Sequence, residues 1–450
     1  VPRACLKNAF RQMYSKKGVL SMLKQQYSSI NQILLTVQEK LKNYPEIVQI
    51  FQNCYTDTLE RTVKIMSDGT TYVITGDIPA MWLRDSAAQL RPYLPAAKND
   101  PALTKLLTGL SRRQFQYILI DPYANAFNEE ENGHCWERDI TGQNGWVWER
   151  KYETDSLCYP LQFAYLIWKN TGCTYHFDTL FRKGAKEILK VFCTEQSHEE
   201  ASSYRFIRQN TYFTDTLSRE GKGPLVKSGI GMTWSGFRPS DDGCTYGYLV
   251  PSNMYAAVVL GYLEEIAGSV LKDRELQREA AGVKEKIFEG IETYGITKTE
   301  EFGEVYAYET DGYGQFCLMD DANVPNLLSM EYLGYRGKKE EVARQTRRMI
   351  LSEANPYYYV GSKARGIGSS HTPINHIWPI ALAMEGLTAR TQEKKLEMLC
   401  MLAETDGGTG AMHESFHVNN DKQYTREWFS WANAMFSELV LDYCGYPILR

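Results

Sequence analysis

The helices this sequence predicts are of two kinds, and the two kinds alternate. Six segments are charged and amphipathic: 21–42, 101–119, 177–194, 272–291, 337–353 and 391–404. In each, apolar residues recur at i, i+3, i+4 with Lys, Arg and Glu opposite, so one face is buried and one is solvated. Six others carry little charge on any side: 85–95, 155–168, 252–266, 321–333, 374–388 and 427–442. A helix that is apolar nearly all round has to be surrounded by other helices. Six hairpins, each with one buried and one exposed member, predict a closed ring: an all-α (α/α)6 barrel with six inner and six outer helices. Residues 1–450 then form a single domain, with a few short strands in the loops at one mouth. "TYVITGDIP" (71–79) is the clearest strand signal. An open solenoid is the alternative, but its repeats are more regular than these hairpins, which carry long insertions before the second and third inner helices.

The net charge of -5 and the absence of a long basic run exclude the electrostatic footprint of a nucleic-acid binder. No uninterrupted apolar run reaches the roughly 18 residues of a membrane span, so no membrane partner is expected. Ten cysteines are scattered without a CxxC pair. Cys158, Cys400 and Cys444 fall within apolar helical stretches, which reads as free thiols in a reducing compartment. With no signal-peptide core in "VPRACLKNAFRQMYSKKG", the expected location is the cytoplasm. Aromatics are abundant, with 30 Tyr, 17 Phe and 9 Trp. Many lie in polar or Gly-rich stretches such as "NGWVWERKY" and "NPYYYVGS". One such ring packs a loop; as a set they suit a ligand with apolar C–H faces and many hydroxyls, a sugar.

Parallel inner helices gather their N-terminal loops at one mouth, and the unusual residues lie in those loops. They include "GDIPAMWLRDS" (76–86), "NGWVWERKYETDS" (144–156), "GMTWSGFRPSDDG" (231–243), "YETDGYGQFCLMDD" (308–321), "RGIGSSHTPINHIW" (365–378) and "GTGAMHESFHVNNDKQYTREWFSW" (408–431). Capping accounts for one acid at each helix start, and Asp155 and Asp321 read as caps. It does not account for the Trp, Arg and His beside them. Asp85, next to Arg84 and near Trp82, reads as cap and ligand together.

Glycosidic cleavage needs one carboxyl to protonate the leaving oxygen and a second to activate water or to attack carbon. Asp241 and Asp242, adjacent and among aromatics, suit an acid whose proton is retained by burial or a neighbouring carboxylate. The partner has to come from another loop, because neighbouring residues cannot bracket a sugar. Glu414, between His413 and His417, is that candidate. "HESFH" also matches the H-E-x-x-H zinc motif letter for letter. The motif requires a regular helix, whereas Gly407, Gly408 and Gly410 before it and "VNND" after it predict a loop, which leaves zinc as the minor reading. Gly-rich segments lack the strand–loop–helix setting of a phosphate site, and no G-x-S-x-G elbow occurs.

"GDIPAMWLRDSAAQLRPYL", "SGFRPSDDGCTYGYLVPSNMY" and "HESFHVNN", in that order, make the chain from about residue 15 to 445 resemble glycoside hydrolase family 125, exo-α-1,6-mannosidases. The resemblance implies an (α/α)6 barrel and removal of terminal α-1,6-linked mannose from oligosaccharides such as N-glycan fragments. It also implies inversion at the anomeric carbon without a metal or other cofactor. Carried over motif by motif, it places the general acid at Asp241 and the general base at Glu414. Arg84 and Asp85 then resemble ligands of the terminal sugar, and Trp82, Glu153, His371 and His413 join them by motif position. Spacing alone does not separate Asp241 from Asp242, which is either a sugar ligand or a carboxylate that tunes the acid. The rival readings are a glucoamylase-like or trehalase-like hydrolase on the same fold, a sugar-binding protein without turnover, and a helical scaffold for protein partners.

Overall fold

Outer helices begin on their own side chains. Asp100 caps Pro101–Ile120 by accepting from the Leu103 N–H at 3.0 Å, Asp178 caps Thr179–Glu195, Asp273 caps Arg274–Tyr294 and Thr391 caps Gln392–Glu404. Each satisfies an amide that the first helical turn leaves without a partner. Glu340–Ile350 has no such cap but opens with Glu340 and Glu341 and closes with Arg347 and Arg348, the charge order that suits the helix dipole. The structure, a computed structural model, describes residues 27–450.

The helix expected over 21–42 is described as Ser28–Lys40, and residues 21–26 lie outside the described residues. A further helix, Pro45–Asp57, follows it with Pro45 in its first turn. This second helix takes the outer position, packing on Gln392–Glu404 and Ser430–Tyr443. Phe51, Tyr55 and Tyr93 stack at centroid separations of 4.9 and 4.7 Å and join it to the first hairpin.

The inner elements are Leu83–Leu90 with its extension to Ala97, Thr154–Thr171, Val250–Ile266, Leu327–Leu333, Pro379–Leu387 and Ser430–Tyr443. Each packs on the next, and the sixth packs on the first, which closes the ring into an (α/α)6 barrel. Every residue of Leu83–Leu90 is buried. Val250–Leu271 is long and apolar enough to cross a membrane by length and composition. In the barrel its apolar surface packs against the second inner and fourth outer helices, the burial that an inner position demands. The fourth inner element is shorter than the expected 321–333, because the chain up to Pro325 is spent on turns and Gly334 ends it at φ +101°.

Five of the six inner helices have no side-chain cap. The chain enters most of them from a short strand, and three antiparallel sheets zip neighbouring lead-ins together. Met81–Trp82, Ala126–Phe127 and Val147–Glu149 join the first to the second. Tyr248–Leu249, Glu309–Thr310 and Phe316–Cys317 join the third to the fourth. His376–Ile377, Ser415–His417 and Asn420–Thr425 join the fifth to the sixth. The expected caps are corrected accordingly. Asp155 accepts from Arg84 at 3.2 Å. Asp321 closes a turn on Asn323 and holds Ser369, while Asp320 takes the Leu327 and Leu328 amides that open the fourth inner element.

The barrel interior holds one buried polar knot. Arg91 pairs with both oxygens of Glu438 at 3.0 and 3.2 Å and donates to Gln162 at 2.5 Å, and Tyr332 donates to Glu438 at 3.0 Å. These four side chains come from four inner elements.

Candidate active site

The turn at 238–243 sets two adjacent carboxylates back to back. Arg238 N–H donates to the Asp242 carbonyl and Asp241 N–H to the Arg238 carbonyl, at 2.8 and 2.9 Å. Asp241 is thereby held at φ +70°, a left-handed conformation that non-glycine residues adopt mainly where surrounding contacts enforce it. Its carboxylate lines a pocket at the barrel mouth. The Asp242 carboxylate turns the other way, accepting from Ser370 at 2.6 Å and meeting His371 Nδ1 at 3.2 Å. Desolvation at the pocket wall pulls the His371 imidazole down although its side chain keeps 39% of its surface exposed, but the hydrogen bond and charge of Asp242, with Asp241 and Glu414 nearby, lift it to about 9.

Arg84, in the first turn of the first inner helix, is the buried centre of the site. Its Nη1 donates to Glu153 at 2.5 Å and to Asp155 at 3.2 Å. Its Nε lies 3.5 Å from Asp85 and its Nη2 3.8 Å from Asp241. One guanidinium does not balance four carboxylates. Burial pushes Glu153 well above the usual carboxylate range, against Arg84 and with Asp241 and Asp155 adding to the rise. Burial likewise raises Asp155 to about 6 and lifts Asp85. Asp241 goes the opposite way: desolvation works to raise it, but Lys151, Arg84 and a hydrogen bond from Glu153 hold it below the usual range. Of this pair, Glu153 therefore holds a proton more tightly than Asp241. Asn125 Nδ2 spans the same group, 3.1 Å from Glu149, 3.4 Å from Glu153 and 3.3 Å from Asp241.

Glu414 leads the strand Ser415–His417 and faces the same pocket, with Arg426 Nη1 at 3.5 Å from Oε1. Arg426 is itself fixed by Asp77 at 2.5 Å and lies over Phe429, 4.3 Å from the ring centroid. The pocket encloses about 390 Å³, its open mouth included. Trp82, Trp378, Phe429 and Trp431 wall it, with Arg84, Asp85, Asn323 and His371 between them. Trp82 Nε1 and Trp431 Nε1 are buried without a hydrogen-bond partner within the protein, and Arg84 Nε and Asp85 Oδ2 have only their mutual ion pair at 3.5 Å. Buried polar groups are normally satisfied, so two indole N–H donors without partners on residues of one small pocket, beside a loosely paired Arg84 and Asp85, suit a ligand rich in hydroxyls.

Residues 44–441 match the family of metal-independent alpha-mannosidases, glycoside hydrolase family 125. The chain belongs to that family. It is 53% identical to a metal-independent α-mannosidase of Streptococcus pneumoniae, solved in a non-productive complex with α-1,6-mannobiose; the match covers 93% of this chain and 98% of that one with a TM-score of 0.90. It is 37% identical to the meiotically up-regulated gene 157 protein of Schizosaccharomyces pombe over 92% of this chain and 85% of that protein. A wild-type glycosidase with a TM-score of 0.53 over 90% of this chain, at 12% identity, shares the fold. The protein is an α-mannosidase and a glycoside hydrolase.

Within this α-mannosidase, six of the residues singled out from sequence line the pocket: Trp82, Arg84, Asp85, Asp241, His371 and Glu414. Glu153 and Asp242 stand behind it, the first under Asp241 and the second under His371. His413 is not brought to the pocket. Its ring stacks on Tyr424 at 3.7 Å, and its nitrogens meet Thr409 and the Glu427 carbonyl at 3.0 and 3.1 Å. The "HESFH" match runs into a strand, not a helix, and no group of three or more His, Cys, Asp or Glu is placed to hold a metal among the described residues.

Sequence reasoning passes over Asn125, Lys151 and Arg426. Lys151 Nζ donates to the Asp241 carbonyl at 2.7 Å and to Asp215 at 2.6 Å. Lys151 and Arg426 do lie in the loops noted as unusual, so a signal existed for them. Asn125 sits in "DPYANAFN", where only strand pairing with Val147–Glu149 brings it inward.

Proposed function

We propose that this α-mannosidase removes terminal α-1,6-linked mannose from oligosaccharides such as N-glycan fragments, with inversion, using Asp241 as general acid and Glu414 as general base. The observation that carries the reading is the convergence of these two carboxylates, from loops more than 170 residues apart in sequence, on one small aromatic-walled pocket. The α-1,6 linkage rests on the mannobiose bound by the Streptococcus pneumoniae relative. The terminal mannose fills the pocket and meets Trp82, Arg84, Asp85 and Trp431. Its arrival removes water from Asp241, which draws the shared proton from Glu153 onto Asp241. Asp241 passes it to the glycosidic oxygen as the bond to the anomeric carbon breaks. Glu414 takes a proton from the water that forms the new bond on the opposite face, and β-mannose leaves. An inverting site holds its two carboxyls about 6.5–9.5 Å apart to admit that water.

Proton NMR of fresh enzyme with α-1,6-mannobiose tests this. β-Mannose is expected as the first anomer, and Asp241→Asn and Glu414→Gln are each expected to lower turnover by about 10²–10⁴-fold while the sugar still binds. α-Mannose appearing first would overturn inversion. Turnover of α-1,2- or α-1,3-mannobiose in place of the α-1,6 isomer would overturn the linkage. A site that only binds sugar would leave every substrate intact.

A further inference from the structure

Two large aromatic side chains stand almost fully in solvent beside the proposed acid. Tyr212 is 82% exposed and Phe213 89%, on a loop that is rigidly tied down. Asp215 on the same turn accepts from Lys151, Arg208 and Thr211 at 2.6, 2.9 and 2.9 Å. Lys151 carries the tie on to the Asp241 carbonyl at 2.7 Å. The Gly243 amide, two residues past Asp241, donates to the Thr214 carbonyl at 2.6 Å. Arg208 also grips Asp139 with two hydrogen bonds of 2.8 Å. Ile140 and Ile207 exchange backbone hydrogen bonds, so the loop carrying Trp136, 53% exposed, is tied to the same wall. The Trp136 amide reaches the Trp148 carbonyl at 3.0 Å, and Trp148 packs on the cluster that holds the pocket residue Trp82.

This network holds Tyr212 and Phe213 in place without burying them, although exposed apolar surface of that size is a liability unless something covers it. The position says what does. A general acid stands on the leaving-group side of the bond it protonates, which puts the sugars beyond that bond on the side of the Asp241 turn, to which this loop is hydrogen-bonded. We infer that Tyr212 and Phe213 form a stacking platform for the second and later sugars on the leaving-group side of an oligosaccharide substrate. This rests on Asp241 being the acid. The rings meet the C–H faces of the pyranoses, and Trp136 forms the flank of the same wall.

The test compares wild type with Tyr212→Ala, Phe213→Ala and the double variant. The probes are an aryl α-mannoside, α-1,6-mannobiose and linear α-1,6-mannotriose, with both oligosaccharides also run as inhibitors of aryl-mannoside hydrolysis. Wild type is expected to bind the triose more tightly than the biose. The double variant is expected to lose that preference, with KM and Ki for the triose rising about tenfold, kcat unchanged, and aryl-mannoside kinetics unchanged. A length preference that survives the double substitution overturns the platform, as does equal binding of biose and triose by wild type. A fall in kcat on all three substrates also overturns it, because the loop then acts only by supporting Asp241. If wild type binds but cleaves neither oligosaccharide, the linkage reading fails while the inhibition constants still decide the platform. If Asp241→Asn leaves mannobiose turnover intact, the acid assignment fails by itself.

Discussion

Around Arg84 the carboxylates do not share one fate, and the division defines the chemistry. Glu153, with no exposed surface and with Arg84 and Ser156 already on its Oε2, is raised by burial, while Asp241 is held low by Lys151 and Arg84. Glu153→Gln keeps the shape of the pair but removes its proton. It is expected to cut kcat on α-1,6-mannobiose by about 10²-fold and to spare an aryl α-mannoside whose leaving group needs no protonation. The alkaline limb of the pH–rate profile should also move to lower pH, since Asp241 alone gives up its proton earlier. A purely structural Glu153 would depress both substrates equally. His371 supplies a second pH-dependent feature. Its pKa is lifted to about 9 in the fold from roughly 6.5 when unfolded. The stability it contributes is full below pH ~6.5 and lost as pH rises through about 9. Denaturant unfolding of wild type and His371→Asn should differ at pH 6 and converge by about pH 10. Acids and aromatics at the loops were legible in the sequence because catalysis leaves its residue types in one stretch. What each acid does was not, since Asp241 and Asp242 are separated only by the turn's left-handed φ, and Glu153 acquires its role from Asn125 and Asp241, which distant parts of the chain bring beside it.

The elements show why capping explained so little of the mouth. Three outer helices use an Asp as cap, whereas most inner helices start from paired strands, which leaves Asp85, Glu153 and Asp155 for Arg84. Removing an outer cap should therefore weaken the fold without touching the chemistry. Asp100→Ala loses the bond to the Leu103 amide and the one from the Ser29 hydroxyl. It is expected to cost about 1 kcal/mol in denaturant unfolding, with kcat and KM unchanged. The alternation of helix types was readable because a solvated face and an enclosed helix differ in charge along the chain. Two things were not. Pro45–Asp57 lies beyond the helix expected over 21–42 and is not among the expected helices, because one charged helix per hairpin leaves it no place. The strands at 376–377 and 415–417 are too short to show alternation, and their pairing is fixed by contacts between distant loops.

At the scale of the whole molecule, the ring is locked by the knot of Arg91, Glu438, Gln162 and Tyr332, from four inner elements. Arg91→Ala leaves the Glu438 charge buried without its partner and is expected to cost about 3–5 kcal/mol. The paired change Arg91→Met with Glu438→Leu should recover most of that in the same urea titration. Nothing in the sequence singles out Arg91, which reads as one charge in an apolar helix. The closure of the ring has a consequence for how the enzyme comes into being. Pocket residues run from Thr75 to Trp431, and the sixth inner helix, Ser430–Tyr443, must slot against both the first inner helix and Pro45–Asp57. Until the chain carrying the sixth inner helix has been made, Glu414, Arg426, Phe429 and Trp431 are missing from the pocket and the ring is open. Catalytic competence therefore requires that this helix insert between the first inner helix and Pro45–Asp57.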